Sequence, residues 1–388
     1  MNIAYVLKGR LPSVRAHSIQ TVRMCSAIEA LGHNVTIVRP SRFSDSLKHI
    51  SVSDYYGTNL AADIVRLRHI DLASITRWVP IQKLRNALLV LDGFLFARSA
   101  SRAVDRMSVD IAYVRDWEVA EALVKRGIPT ILELHLVAPS NWQRKRITKL
   151  TLDKNIKLVV AITAGVASVL MQIGVPSGKL MVEPDAVDSK EYGSLPNKIK
   201  ARVEFELPAE SKIACYTGSF YGWKGVGEII DAAKLSPEFT FVLAGGELKD
   251  LPSGCVRKVT SASNIVVLGR LAPLKIPRLQ AASDVLLLPN SGKQEISSEF
   301  TSPLKMFEYM AAHRPIVATD LPSLREHLQH GHNSLLVEPD DAASLAGGIR
   351  RVMEDEELSK RIATSAYEYV KAYSWTGRSS RVLDRAAK

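Results

Sequence analysis

The chain has 388 residues, 46% hydrophobic and 23% charged, with a formal net charge of +11. That length predicts two domains, because one core rarely grows past about 250–300 residues. No apolar run reaches the ~18–20 residues of a spanning helix. The three scattered cysteines, Cys25, Cys215 and Cys255, make neither a disulfide framework nor a metal-ligand spacing, so a reducing compartment is expected.

In chain order, MNIAYVL reads as a first strand, with no basic leader or cleavage site before it. HSIQTVRMCSAIEALG reads as an amphipathic helix stopped by Gly32, and NVTIVRP as the next strand. Further strands are expected at DIAYV, PTILELHL, KLVVAIT, KIACYTGS, FTFVLAGG, NIVVLGR, DVLLLPN and PIVATD, with helical patterns between most of them. This alternation implies parallel sheets covered by helices. The pattern restarts after Asp188, across a polar stretch. The expected layout is a first domain over 1–186, a linker over 187–210 and a second domain over 211–372, each domain a doubly wound, Rossmann-like α/β sheet. Trp78 to Arg102 is an apolar-rich helix pattern with basic residues at both ends. An interfacial membrane helix has this look. So does an ordinary helix with one buried face, which the Asp92-Gly93 break in the apolar stripe favours.

The charge is uneven. Residues 1–190 hold 26 Lys and Arg against 16 Asp and Glu, whereas 191–388 hold 25 against 24. The positive field of the first half favours an anionic partner: phosphate-rich ligands, acidic lipid or nucleic acid.

Three stretches carry candidate chemistry. In FTSPLKMFEYMAAHRPIVATD, Ser302 is placed as a helix N-cap and Pro303 as the first helical residue, which leaves an anion-binding tip. Leu304 follows, Lys305 adds a mobile positive charge, and Glu308, one turn on, suits a ribose diol. Phosphate at the tip and ribose beside Glu308 together describe a nucleotide diphosphate. In TGSFYGWKGVGEIIDAA, Gly218 permits close backbone approach at a strand's carboxyl end, with Ser219 after it, and Lys224 is in reach of a diphosphate. The spacing of Gly222, Gly225 and Gly227 departs from a dinucleotide fingerprint. Ala244 to Glu247 and the loop at Gly269 are turns that suit a base. In the first half, Gly9 follows the first strand, Arg15 and His17 open the first helix, and His135 ends a strand in ELH.

SPLKMFEYMAAHRPIVATDLPSLRE, the Lys224-Gly225 pair, EPDAVD, GHNVTIV and the late Ser374-Trp375 together resemble the family-four retaining glycosyltransferases of the GT-B fold, over nearly the whole chain. The resemblance implies two Rossmann-like domains facing across a cleft, with residues 373–388 a helix returning to the first. It implies a nucleotide-diphosphate sugar as co-substrate and no cofactor or metal, consistent with the lack of any Asp-x-Asp. Glu308 matches the ribose-holding glutamate, Lys224 the phosphate-binding lysine, and His135 a histidine that approaches the transferred sugar. Gly218, Ser219, Ser302, Pro303, Leu304 and Gly269 then fall on the donor side, and Gly9, Arg15 and His17 on the acceptor side. Two positions depart from the pattern. Phe300 stands where the family places a donor-sugar glutamate, with Glu299 beside it, and Ser219 stands where an arginine is common. Lys305 is the expected substitute charge.

The implied activity is retaining transfer by front-face displacement, the leaving phosphate assisting as base, to a glycan or lipid-linked acceptor of the cell envelope. A cytoplasmic location is expected, with peripheral contact at the inner face of an anionic membrane. The alternatives are a catalytically inactive GT-B relative and a nucleic-acid-binding protein. The latter is disfavoured by 6% aromatics and no recognition motif. A dehydrogenase is disfavoured because neither half has GxGxxG after its first strand.

Overall fold

The apolar runs of the sequence become strands buried on both faces, as parallel sheets flanked by helices require. The computed structural model describes residues 1–43, 47, 49–135 and 140–388. The chain divides into two units, Met1–Pro184 with Trp375–Lys388, and Asp185–Ser374.

The first unit holds β1 (Asn2–Val6), β2 (Asn34–Pro40), β3 (Asp63–Leu67), β4 (Ile111–Val114), β5 (Thr130–Leu134), β6 (Ile156–Ala161) and β7 (Leu180–Val182). They form one sheet in the order β3-β2-β1-β4-β5-β6-β7. Every pairing is parallel. The order reverses direction between β1 and β4, the switch point at which such sheets bind ligands beyond the strand ends. There Tyr5 and Tyr113 stand in register and stack, ring centroids 4.9 Å apart. The helix Trp375–Ala386, last in the chain, belongs to this unit and packs on the helix Ala16–Ala30.

The second unit holds β8 (Ile213–Thr217), β9 (Thr240–Ala244), β10 (Ile265–Gly269), β11 (Val285–Leu288), β12 (Ile316–Thr319) and β13 (Leu335–Val337), in the order β10-β9-β8-β11-β12-β13, again all parallel. Its switch point lies between β8 and β11. The helix Leu304–Ala311 buries Met306, Phe307, Tyr309 and Met310 against one face of this sheet, and the helix Val226–Leu235 buries Ile229 and Ile230 against the other.

One expectation changes. Residues 187–210 are no linker: the helix Lys198–Glu204 and its flanks place Ala201, Phe205 and Leu207 in the second unit's core. The helix that holds Asp92-Gly93 runs unbroken over Gln82–Asp105. Its burial is divided along its length. Asp92, Phe96, Ala97 and Ala100 are inside, whereas Leu84, Leu89, Val90 and Leu91 are exposed, as is Trp78 before it. Strands β3, β7 and β13 had no strand-like signature. β3 is a half-exposed edge strand whose sequence mixes polar with apolar residues, and β7 and β13 have only three residues each.

Candidate functional site

The second unit concentrates glycines where β8, β9 and β10 end. Gly218 N donates to Ala244 O (2.8 Å) and Gly245 N to Gly269 O (2.7 Å), lacing the three strand ends together. A Cβ on Gly245, whose φ is 120°, would stand 2.3 Å from Gly218 O. No other residue type permits that approach. Tyr216 OH donates to Ser219 O at 2.8 Å, fixing the turn after Gly218. Tyr309 OH accepts from Thr217 N at 2.8 Å, tying the Leu304 helix to the end of β8.

Lys305 lies under this turn. Its Nζ stands 3.7 Å from the Tyr216 ring centroid, and a Cβ on Gly218 would come within 3.1 Å of it. The residue is only 8% exposed and its ammonium has no hydrogen-bond partner among the described residues. Burial pulls its pKa well below the usual lysine value, the charge of Lys224 pulls the same way, and Glu308 and Cys215 oppose them. Lys224 ends the 3-10 turn Gly222–Lys224, its Nζ 3.7 Å from the Trp223 ring centroid, with burial lowering its pKa to about 7. Two mutually repelling ammonium groups thus sit without a carboxylate bonded to either among the described residues, an arrangement that an anion would relieve. Gly225 sets the second lysine's position. Its φ is 73° and a Cβ there would lie 1.6 Å from Pro289 O. Gly225→Ala is therefore expected to cost at least ~2–3 kcal/mol in urea unfolding, more than an ordinary left-handed glycine replacement; an unchanged midpoint would contradict the close approach.

The helix tip differs from its expectation. The helix begins at Leu304, with Pro303 as the cap residue and no side-chain cap. Ser302 Oγ instead accepts from Asp185 N at 3.3 Å. Ser302, Pro303 and Lys305 are buried and Leu304 half-buried, so the tip is not broadly open and Lys305 is not mobile: the aromatic ring and the glycine turn hold it. Glu308 is half-buried one turn on, Ser219 is half-buried, and Phe300 is buried, unavailable as a polar contact. Gly269 has φ 72° and faces the Glu247 carboxylate, which a Cβ would approach to 3.2 Å.

In the first unit, Gly9 and His17 are brought together: a Cβ on Gly9 would fall 2.2 Å from His17 Nε2. That nitrogen is buried without a partner among the described residues, and burial, with the charges of Arg115 and Arg15, holds the ring's pKa near 4. Arg15 is exposed at the cap of its helix. His135 follows the last residue of β5, its Nε2 bonded to Glu133. Glu133, Gln20, Arg115 and Arg378 around it, and Tyr216 under Lys305, carry no signal of a role in residue type or spacing. His69, Asp71 and Asp92 have metal-ligand chemistry and lie close together. Arg42, however, already donates to both carboxylates (2.6 Å to Asp71, 2.9 and 3.0 Å to Asp92), which makes the group an internal ion cluster.

The pattern described as "Glycosyltransferase Family 4" matches residues 18–191, and that described as "Glycosyl transferases group 1" matches residues 211–355. This chain belongs to the family-four GT-B glycosyltransferases. The glycosyltransferase is 26% identical over 300 residues to a 2-deoxystreptamine glucosyltransferase of Streptomyces kanamyceticus, covering 73% of this chain and 72% of that one. It is 25% identical over 209 residues to a phosphatidyl-myo-inositol mannosyltransferase of Mycobacterium tuberculosis, 52% of each chain. Other curated relatives are matched over 43% and 46% of their own length. The fold of this glycosyltransferase is that of Anabaena HepE, solved in complex with UDP and glucose, with a TM-score of 0.77, 18% identity and 100% and 99% of the two chains covered.

Proposed function

We propose that the enzyme moves a hexose from a nucleotide diphosphate to a glycan or lipid-linked acceptor, with retention of anomeric configuration and without a bound metal. The observation that carries this reading is the buried, unpartnered Lys305 ammonium beside Lys224 at the end of β8. Together they supply the charge that a departing diphosphate needs, a stabilisation aimed where negative charge develops. Glu308 takes the ribose hydroxyls, the Gly245 and Gly269 turns flank the base, and His135 meets the transferred sugar. The HepE complex with UDP and glucose supports a nucleotide-sugar donor. A thermal-shift panel of UDP, GDP and ADP tests the donor site: one of them is expected to raise the melting temperature in proportion to log concentration. No shift from any of them at millimolar concentration would contradict the reading. The anomer formed, read by proton NMR of the product, tests retention.

The acceptor side of the proposal rests on the first unit. A shallow groove of about 500 Å³ is lined by Arg144, Lys145 and Lys149. Between Leu72 and Leu91 the sequence has three cations, Arg77, Lys83 and Arg85, and no carboxylate. Trp78 (75% exposed), Ile81, Leu84 and Leu91 stand out there. Apolar side chains among cations suit the headgroup layer of an anionic membrane, and the mannosyltransferase relative has a lipid acceptor in its name. The enzyme is expected to pellet with phosphatidylglycerol vesicles at low salt, and Trp78→Ser with Leu84→Ser to reduce that at least ~5-fold. Pelleting unaffected by both salt and the double substitution would contradict membrane contact through this helix.

A further inference from the structure

Glu133, the fourth residue of β5, is fully buried. An ionised carboxylate there needs a counter-charge. It comes from the far end of the chain. Arg378, equally buried on the helix Trp375–Ala386, donates from Nη2 to Glu133 Oε2 at 2.9 Å and from Nε to Pro184 O at 2.7 Å. Tyr113 OH donates to the same Oε2. The other oxygen, Oε1, accepts from Gln20 Nε2 at 2.7 Å and bonds His135 Nε2. Gln20 is fixed in turn by Arg115, which donates to its Oε1.

This network sets the tautomer of His135. Burial alone would raise the Glu133 pKa, but Arg378, with His135 and Arg115, holds it well below the ordinary value, so the carboxylate is ionised. It has no proton to give, and the hydrogen between it and the imidazole is therefore the Nε2–H. Burial and then the charge of Arg115 lower the His135 pKa to about 4, against the pull of Glu133, so the ring is neutral near pH 7. A neutral imidazole with Nε2–H presents Nδ1 as an acceptor.

We propose that Arg378 is a positioning residue for the transfer reaction: by keeping Glu133 anionic it selects the Nε2–H tautomer of His135 and leaves Nδ1 to accept a hydrogen bond from a sugar hydroxyl. This rests on the reading of His135 as the residue that meets the transferred sugar. The physical alternative defines the test. Without Arg378, a buried Glu133 takes up a proton, becomes a donor to Nε2 and reverses the ring to Nδ1–H. A wrongly protonated histidine loses catalysis even in unchanged geometry.

The experiment is a long-range proton–nitrogen correlation spectrum of the full-length enzyme labelled with 15N-histidine, with His135→Asn identifying the resonance. Wild type is expected to show neutral Nε2–H, Arg378→Met to show predominantly Nδ1–H, and Arg378→Lys to retain most of the wild-type signal. Turnover is expected to fall at least ~10-fold in Arg378→Met with donor KM within about 2-fold, and to be largely restored in Arg378→Lys. If Arg378→Met does not fold, Glu133→Gln reads the same link, since it keeps the volume and removes the charge; a mixed tautomer is expected. Nε2–H persisting in folded Arg378→Met or in Glu133→Gln would overturn the proposal. A reversed tautomer with unchanged turnover would instead overturn the role given to His135 in the transfer, because the spectrum needs no substrate.

Discussion

Replacing Lys305 by methionine is expected to stabilise the unliganded enzyme and to abolish tight donor binding. In the free protein the ammonium is buried, has no acceptor among the described residues and is repelled by Lys224. Methionine keeps the stem packed on Tyr216 and removes an uncompensated charge. Each kcal/mol gained is worth roughly 2–4 °C in a unit of this size. Donor binding loses a charge-assisted contact of about 1.5–3 kcal/mol, roughly 10- to 150-fold in Kd. The two effects have opposite signs, so differential scanning fluorimetry with and without nucleotide separates them. A lower melting temperature with binding unchanged would mean that Lys305 is merely structural.

The same lysines fix a pH dependence. An amine whose folded pKa is depressed holds fewer protons in the folded than in the unfolded state, so stability rises with pH up to the unfolded value near 10.5. The stabilisation by Lys305→Met should therefore fade as pH approaches 10.5. A bound diphosphate raises both pKa values again, so binding takes up protons. With Lys224 near 7, calorimetry at pH 7.5 in buffers of different ionisation enthalpy should show net uptake. Zero uptake, or release, would contradict two lysines on the diphosphate.

Arg378→Met is expected to give the largest loss of stability of any single substitution considered, about 3–5 kcal/mol, because the fully buried Glu133 loses its guanidinium and must take up a proton to stay inside. Chemical denaturation reads the loss. Adding Glu133→Gln should recover a large part of it, since the double variant removes both charges, so the two changes are not additive. The wild-type pair contributes stability above the unfolded glutamate value near 4.5 and loses it as pH falls below that. Strict additivity in the double variant would show that the two residues act independently.

The residues of the candidate site were legible as local patterns because its parts are local. Gly218, Lys224-Gly225 and the run from Ser302 to Glu308 each span one strand end or one helix turn, where backbone requirements leave a signature in residue type. The role of Ser302 was not legible. A serine before a proline satisfies the cap rule equally well whether its hydroxyl serves its own helix or, as here, the backbone of Asp185, 117 residues away. The mobility expected of Lys305 failed for a similar reason, since nothing near it in sequence places the Tyr216 ring beneath its ammonium. The helix Gln82–Asp105 shows the complement. Its composition was compatible with both burial and exposure, and packing assigns burial to its second half and exposure to the first.

By itself, the sequence determined what short-range physics writes into it. Alternating strand and helix periods gave two parallel sheets, the break in polarity gave two units, and glycines and lysines at strand ends gave a candidate anion site in the second. Tertiary structure decided which groups meet. The edge strands, the cation on its tyrosine ring and above all the bond from Arg378 to Glu133, spanning 245 residues, exist because packing brings distant segments together. A buried charge finds its partner wherever the fold places one, and residue spacing carries no trace of that distance.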